Sequence, residues 1–158
     1  MRMIALLCVG IAAAALTGCS TVQPRGFDVP ADAFKCTYDV DCFVTVSVTN
    51  TNPCRVSVDR PAIEIKGSSR WTSVKHLIRW ELDEAAVDAK FRFESRTGVV
   101  LKQPDPDDQF SGQGPHGGAT QFHWFDKNTN SSEYRYTINI VQKNSTNNCL
   151  LDPSIFNN

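Results

Sequence analysis

Beyond Leu16 the sequence has no long hydrophobic run. Nothing there approaches the roughly 20 apolar residues of a membrane-spanning helix. Positive charge is not in excess either. Arg2 is the only charged residue among residues 1–18, which leaves 15 basic residues against 17 acidic ones in the remainder. That balance excludes a broad nucleic-acid footprint and a polybasic membrane patch. There is no Cys-x-x-Cys pair of the kind structural zinc sites use. Both methionines fall within the first three residues, and Cys149 has no histidine near it in sequence. The Cys, His and Met ligand set of a blue-copper centre is therefore incomplete. No Gly-x-Ser-x-Gly elbow is present, and the acidic residues lack the spacing of a calcium-binding EF-hand loop. A sustained helical period is also missing. No cofactor is expected.

The N-terminus does carry a pattern. Arg2 precedes an apolar and small-residue run of 13 residues, Ile4 to Leu16. A charged start and a short apolar core are the parts of a secretory signal. The run ends in Leu16-Thr17-Gly18-Cys19. That tetrapeptide resembles the lipobox of bacterial lipoprotein precursors. The resemblance covers residues 1–19 and implies removal of 1–18 and acylation of Cys19, with palmitate as a typical chain. Ser20 follows the cysteine where inner-membrane retention uses aspartate, so the resemblance implies delivery to the outer membrane, on its periplasmic face. Each buried methylene contributes roughly 0.8 kcal/mol, and two or more chains hold stably. The membrane partner is then reached through Cys19 alone. Residues 19–33 hold Pro24, Gly26 and Pro30 without an apolar period and read as a tether. Residues 34–158 read as a single domain.

Removing Cys8 and lipidating Cys19 leaves Cys36, Cys42, Cys54 and Cys149. An even number in an oxidising compartment predicts two disulfides, with three connectivities open. A hairpin turning at Asn50 to Pro53 sets Cys54 opposite about Thr49. Cys42 is then roughly 24 Å away at about 3.4 Å per residue, beyond the reach of a disulfide. Two connectivities survive. Cys36–Cys42 with Cys54–Cys149 is preferred over Cys36–Cys54 with Cys42–Cys149, because residues 37–41 suffice for a short turn.

The rest of the chain alternates. Cys42, Val44, Val46 and Val48 share one strand face; so do Val74, His76, Ile78, Trp80 and Leu82. Val56 with Val58, Ile63 with Ile65, Phe91 with Phe93, Val99 with Leu101, Phe122 with Trp124, and Tyr134 through Ile140 repeat the pattern. Residues 83–90 are acidic and alanine-containing, which suits one helical turn. The expectation is an all-β fold: an antiparallel β-sandwich, immunoglobulin-like or cupredoxin-like, of about seven or eight strands. A small closed barrel is the alternative.

Residues 103–119 are the least regular stretch, with three prolines, four glycines, Asp105, Asp107 and Asp108. A loop of that length is a candidate binding surface. Trp71, in a polar stretch, and His116 join it as candidates. The predicted function is non-enzymatic, with no catalytic residue: a tethered domain that binds an envelope protein or the cell wall, and no nucleic acid. One alternative is a copper- or zinc-binding protein using His116 and His123. Another is an envelope hydrolase without a recognisable motif.

Overall fold

The computed structural model describes residues 27–37, 41–51, 54–66, 75–105, 107–145 and 148–158. Cys19 and Trp71 lie outside them. The strands are β1 (Phe34–Cys36), β2 (Cys42–Thr51), β3 (Cys54–Val58), β4 (Ala62–Ile65), β5 (His76–Leu82), β6 (Phe91–Phe93), β7 (Val99–Leu101), β8 (Phe110–His116), β9 (Gln121–Asp126), β10 (Ser132–Gln142), β11 (Asn148–Leu151) and β12 (Ser154–Asn157). One helix, α1 (Glu84–Asp88), follows β5. It forms where the acidic turn was expected: the Asp83 carboxylate accepts from the Ala86 N–H at 2.7 Å, and Glu84 sits in its first turn.

The fold is an all-β sandwich of two sheets. One sheet runs β3-β2-β5-β9-β8. The other runs β1-β4-β12-β10-β11, with β6 and β7 also paired to β10. Several of its strands are pieces of longer ones. Leu151 faces Ile138 and Ser154 faces Arg135, one unbroken register, so β11 and β12 are a single track crossed by Asp152 and Pro153. On the other side of β10, Phe93 faces Ile140 while Val99 faces Ile138. Four residues therefore loop out between β6 and β7. The Glu94 carboxylate closes that loop, accepting from the N–H groups of Arg96 and Thr97 at 2.8 and 2.6 Å, and its pKa falls to about 2 as a result. The strand count among the described residues is thus twelve, above the seven or eight expected, through these interruptions and the unforeseen β1, β8, β11 and β12.

The sheets are mixed. β1 with β4, β4 with β12, and β2 with β5 pair in parallel. The cause lies in the connections. The chain leaves β3 for the other sheet as β4, then returns as β5 beside β2, and such a crossover gives parallel neighbours.

The alternations hold. β5 buries His76, Ile78, Trp80 and Leu82 in turn, and β10 buries Tyr134, Tyr136, Ile138 and Ile140. Trp80 meets Trp124 at 5.1 Å between ring centroids and Tyr136 at 5.3 Å across the sandwich, and its indole N–H donates to the Tyr136 hydroxyl at 3.2 Å. Truncating such a ring to alanine costs about 3–5 kcal/mol.

Two cysteine pairs stand at disulfide distance: Cys36 with Cys42, Cα atoms 5.6 Å apart, and Cys54 with Cys149, 5.4 Å apart. β2 and β3 form the expected hairpin, with Thr51 rather than Thr49 opposite Cys54. The first pair links the end of β1 to the start of β2. The second ties β3 to β11, across the two sheets. Residues 27–33, read as part of a loose tether, are partly packed: Phe27 lies 5.8 Å from Phe156 between ring centroids and Ala33 is buried.

Candidate functional site

The acidic loop is shaped by its own carboxylates. Asp105 accepts from the backbone N–H groups of Gln109 and Phe110 at 2.8 and 2.9 Å and so starts β8. Asp107 accepts from the Asn130 side chain at 2.8 Å. Asp108 takes a left-handed backbone, φ 48°. Gln109 is fully buried and exchanges hydrogen bonds with Thr129, 2.6 Å from its amide nitrogen to the hydroxyl and 2.9 Å from the Thr129 N–H. The end of the stretch expected to be irregular is not a loop. Residues 110–116 form β8, antiparallel to β9. Glycine and proline masked it; an edge strand tolerates both, since one side of its backbone has no neighbour.

Among the described residues the expected binding residues therefore do not converge. Asp105, Asp107 and Asp108 sit where β8 begins, whereas His116 ends it, roughly 20 Å away at about 3.3 Å per residue. Trp71 lies outside the described residues.

His116 and His123 do meet, with rings stacked at 4.0 Å and 20° apart on the outer face of the sheet. Imidazole lone pairs lie in the ring plane, so stacked rings aim them in parallel rather than at one ion. Burial lowers the pKa of His123, as do the positive charges of His116 and Arg79. Among the described residues no group of three His, Cys, Asp or Glu is placed to hold a metal. The same face exposes Phe43, under the Arg79 guanidinium at 4.2 Å, and Phe125.

A buried polar cluster occupies the Asp105 end of the sandwich. Asp126 faces His76 across β9 and β5. Its Oδ1 accepts from the Asn128 N–H at 2.8 Å and from the Asn157 side chain at 3.2 Å. Burial raises its pKa to about 6, with the nearby Asp105 charge adding to the effect. His76 is shifted the other way, down, also by burial. Both groups are thereby pushed toward their neutral forms, and they sit inside the fold with Asn128 and Asn157 rather than at a surface.

A concave surface lies elsewhere. A groove of about 490 Å³ opens between β3 and the β11–β12 track. Val56, Val58, Leu151, Pro153 and Phe156 make it mostly apolar, and Asp32 and Asp152 are its charged lining residues. Val56, Ser57 and Val58 all line it. Successive side chains point to opposite faces of a strand, so three in a row border one hollow only along the strand's edge. None of these residues was singled out in the sequence as a binding residue. The groove is assembled from segments between Pro30 and Phe156, and its one local signal is proline beside strand ends, at Pro61 and Pro153. No family model matches this sequence, and no curated protein matches it.

Proposed function

We propose that the chain is a lipoprotein of the bacterial envelope, anchored through acylated Cys19 and delivered to the outer membrane. Its sandwich is a binding domain that holds another envelope component, without catalysis. The groove between β3 and the β11–β12 track carries the binding half of this reading. A concave, mostly apolar surface with a few polar groups suits a ligand held by burial and orientation. The lipobox resemblance carries the anchoring half. Confinement near the membrane raises the effective concentration of the domain for partners there. The metal-binding alternative has less support, because the stacked rings of His116 and His123 do not converge on an ion.

Two experiments test the reading. Cys19→Ala is expected to move the protein from the membrane to the soluble fraction; continued membrane association of the unacylated variant rejects the anchor. A photo-crosslinking side chain at Ser57, inside the groove, is expected to capture a specific envelope partner in cells. The same group at Phe125, on the outer sheet face, is the control. Capture from position 125 with none from 57 rejects the groove.

A further inference from the structure

The backbone of β3 has hydrogen-bonding groups that no strand among the described residues uses. β2 and β3 are antiparallel, with Ser47 opposite Ser57 and Val46 opposite Val58. One residue beyond, the Asp59 N–H donates to the Thr45 carbonyl at 3.2 Å. In an antiparallel ladder, directly bonded pairs alternate with pairs whose N–H and C=O groups point away. Thr45 with Asp59 is a bonded pair, so Ser47 with Ser57 is another. Val46 with Val58 and Val48 with Val56 are then the unbonded pairs. The other neighbour of β2 agrees with this phase: the Val46 carbonyl turns away from β3 and accepts from the Asp83 N–H at 3.0 Å. The N–H and C=O groups of Val56 and Val58 consequently face the open edge. Among the described residues β3 pairs with β2 alone.

That edge borders the apolar groove, and β3 carries neither a proline nor a bulge to blunt it. Open edges are usually guarded by proline, a bulge or an inward-pointing charge. From Cys54 to Val58 there is no proline, and the register break of the hairpin falls in β2, between Val48 and Asn50. Arg55 is exposed and points to the other side from the buried Val56. The groove's charged lining is acidic on both sides. Asp152 is held by Lys102 at 2.7 Å, while Asp32 is exposed and forms no ion pair among the described residues.

Resting on the binding reading above, we propose that β3 takes up an extended peptide segment of a partner protein as an added strand. The segment alternates apolar side chains, which fill the groove beside Val58, Leu151 and Phe156, and carries a lysine or arginine that meets Asp32. Main-chain bonds to Val56 and Val58 give the affinity, and the groove and its acidic rim give the selection.

The test uses the full-length protein in detergent, with random short peptides displayed on phage as the probe. Enrichment of sequences that alternate apolar residues and carry a flanking lysine or arginine is expected. Val58→Pro removes one outward N–H and leaves the β2 ladder intact. It is expected to weaken the enriched peptide at least about tenfold, and Asp32→Lys several-fold. In the wild-type protein, bound peptide should slow amide exchange at Val56 and Val58. A failure to enrich, or an enriched peptide indifferent to both variants, overturns the proposal. So does a concentration-dependent dimer that Val58→Pro disperses, since a second copy then fills the edge. Crosslinking from position 57 in cells reads the broader function separately. A partner captured there while no peptide is selected rejects the added strand and keeps the binding domain.

Discussion

Strand β8 has Gly112 at φ 65°, a register break between Ser111 and Gly114, and Pro115 opposite Phe122. β3, at the other edge of the same sheet, has none of these between Cys54 and Val58. The approach to β8 is also tied down, by the Asp105 carboxylate and the Gln109–Thr129 exchange. β3 is pinned at Cys54 by the link to Cys149 and then runs free along the groove. One edge is closed by its own residues. The other keeps a straight backbone with unused groups beside an apolar hollow. Edge strands invite pairing unless a fold acts against it, and this fold acts at one edge only.

The largest effect should come from releasing β3. Cys54→Ser with Cys149→Ser opens a loop of sequence separation 95, against 6 for Cys36 and Cys42. The chain-entropy argument assigns about 4–5 kcal/mol to the long closure and about 2 kcal/mol to the short one. Denaturant unfolding of the two double variants is expected to rank them in that order. Equal losses break the comparison, because β3 would then hold its place without the link.

Next comes the β8 side, where a carboxyl group is buried. The pKa of Asp126 rises from 3.8 to about 6 on folding. An acid with a raised folded pKa favours the fold while protonated. Stability therefore falls as pH climbs from about 4 to about 6, and the full penalty stands above that. At 1.36 kcal/mol per pKa unit the difference is about 3 kcal/mol. Asp126→Asn keeps an oxygen for Asn128 and Asn157. It should match the wild type near pH 4 and exceed it by up to about 3 kcal/mol above pH 6, read by thermal unfolding against pH. A gain independent of pH contradicts the assignment.

Gly112→Val tests the bulge. A Cβ there would meet the Phe125 ring at 2.6 Å, at a backbone angle that suits glycine. A loss of about 2 kcal/mol is expected, from strain and overpacking. Gly114→Ala, with nothing within 4 Å of the new Cβ, should cost less than about 1 kcal/mol. The smallest pair compares prolines on β3. Ser57→Pro removes a ladder bond and should cost about 1–3 kcal/mol, whereas Val58→Pro should cost less than about 1 kcal/mol. The reverse ranking would mean that the ladder has the opposite phase.

How much of this was legible in the sequence follows from what alternation encodes. A half-buried strand announces its inner face, so the inward residues of β2, β5, β9 and β10 were readable one by one. The alternation does not say which strand lies alongside, so the parallel pairing of β2 with β5 was invisible. β8 was hidden because glycine and proline read as loop wherever no neighbouring strand is known. The pairing of Cys54 with Cys149 was within reach: hairpin geometry rules out Cys42 as a partner of Cys54, and the short span from Cys36 to Cys42 favours the remaining connectivity that was found. The groove was not: Pro30, Val58, Pro61 and Phe156 come together only after the chain has crossed between sheets. His116 drew attention as a candidate metal ligand with His123, yet the two rings stack on the sheet face.

Residue-resolved amide hydrogen exchange on the unliganded protein tests the open edge most directly. Val56 and Val58 are expected to exchange fast, with Ser57 between them slow, because the Ser57 N–H alone bonds to β2. On β9, whose backbone is bonded on both sides, Phe122 to Trp124 should be slow throughout. Uniformly slow exchange from Val56 to Val58 would contradict the account, since the edge of β3 would then already be covered.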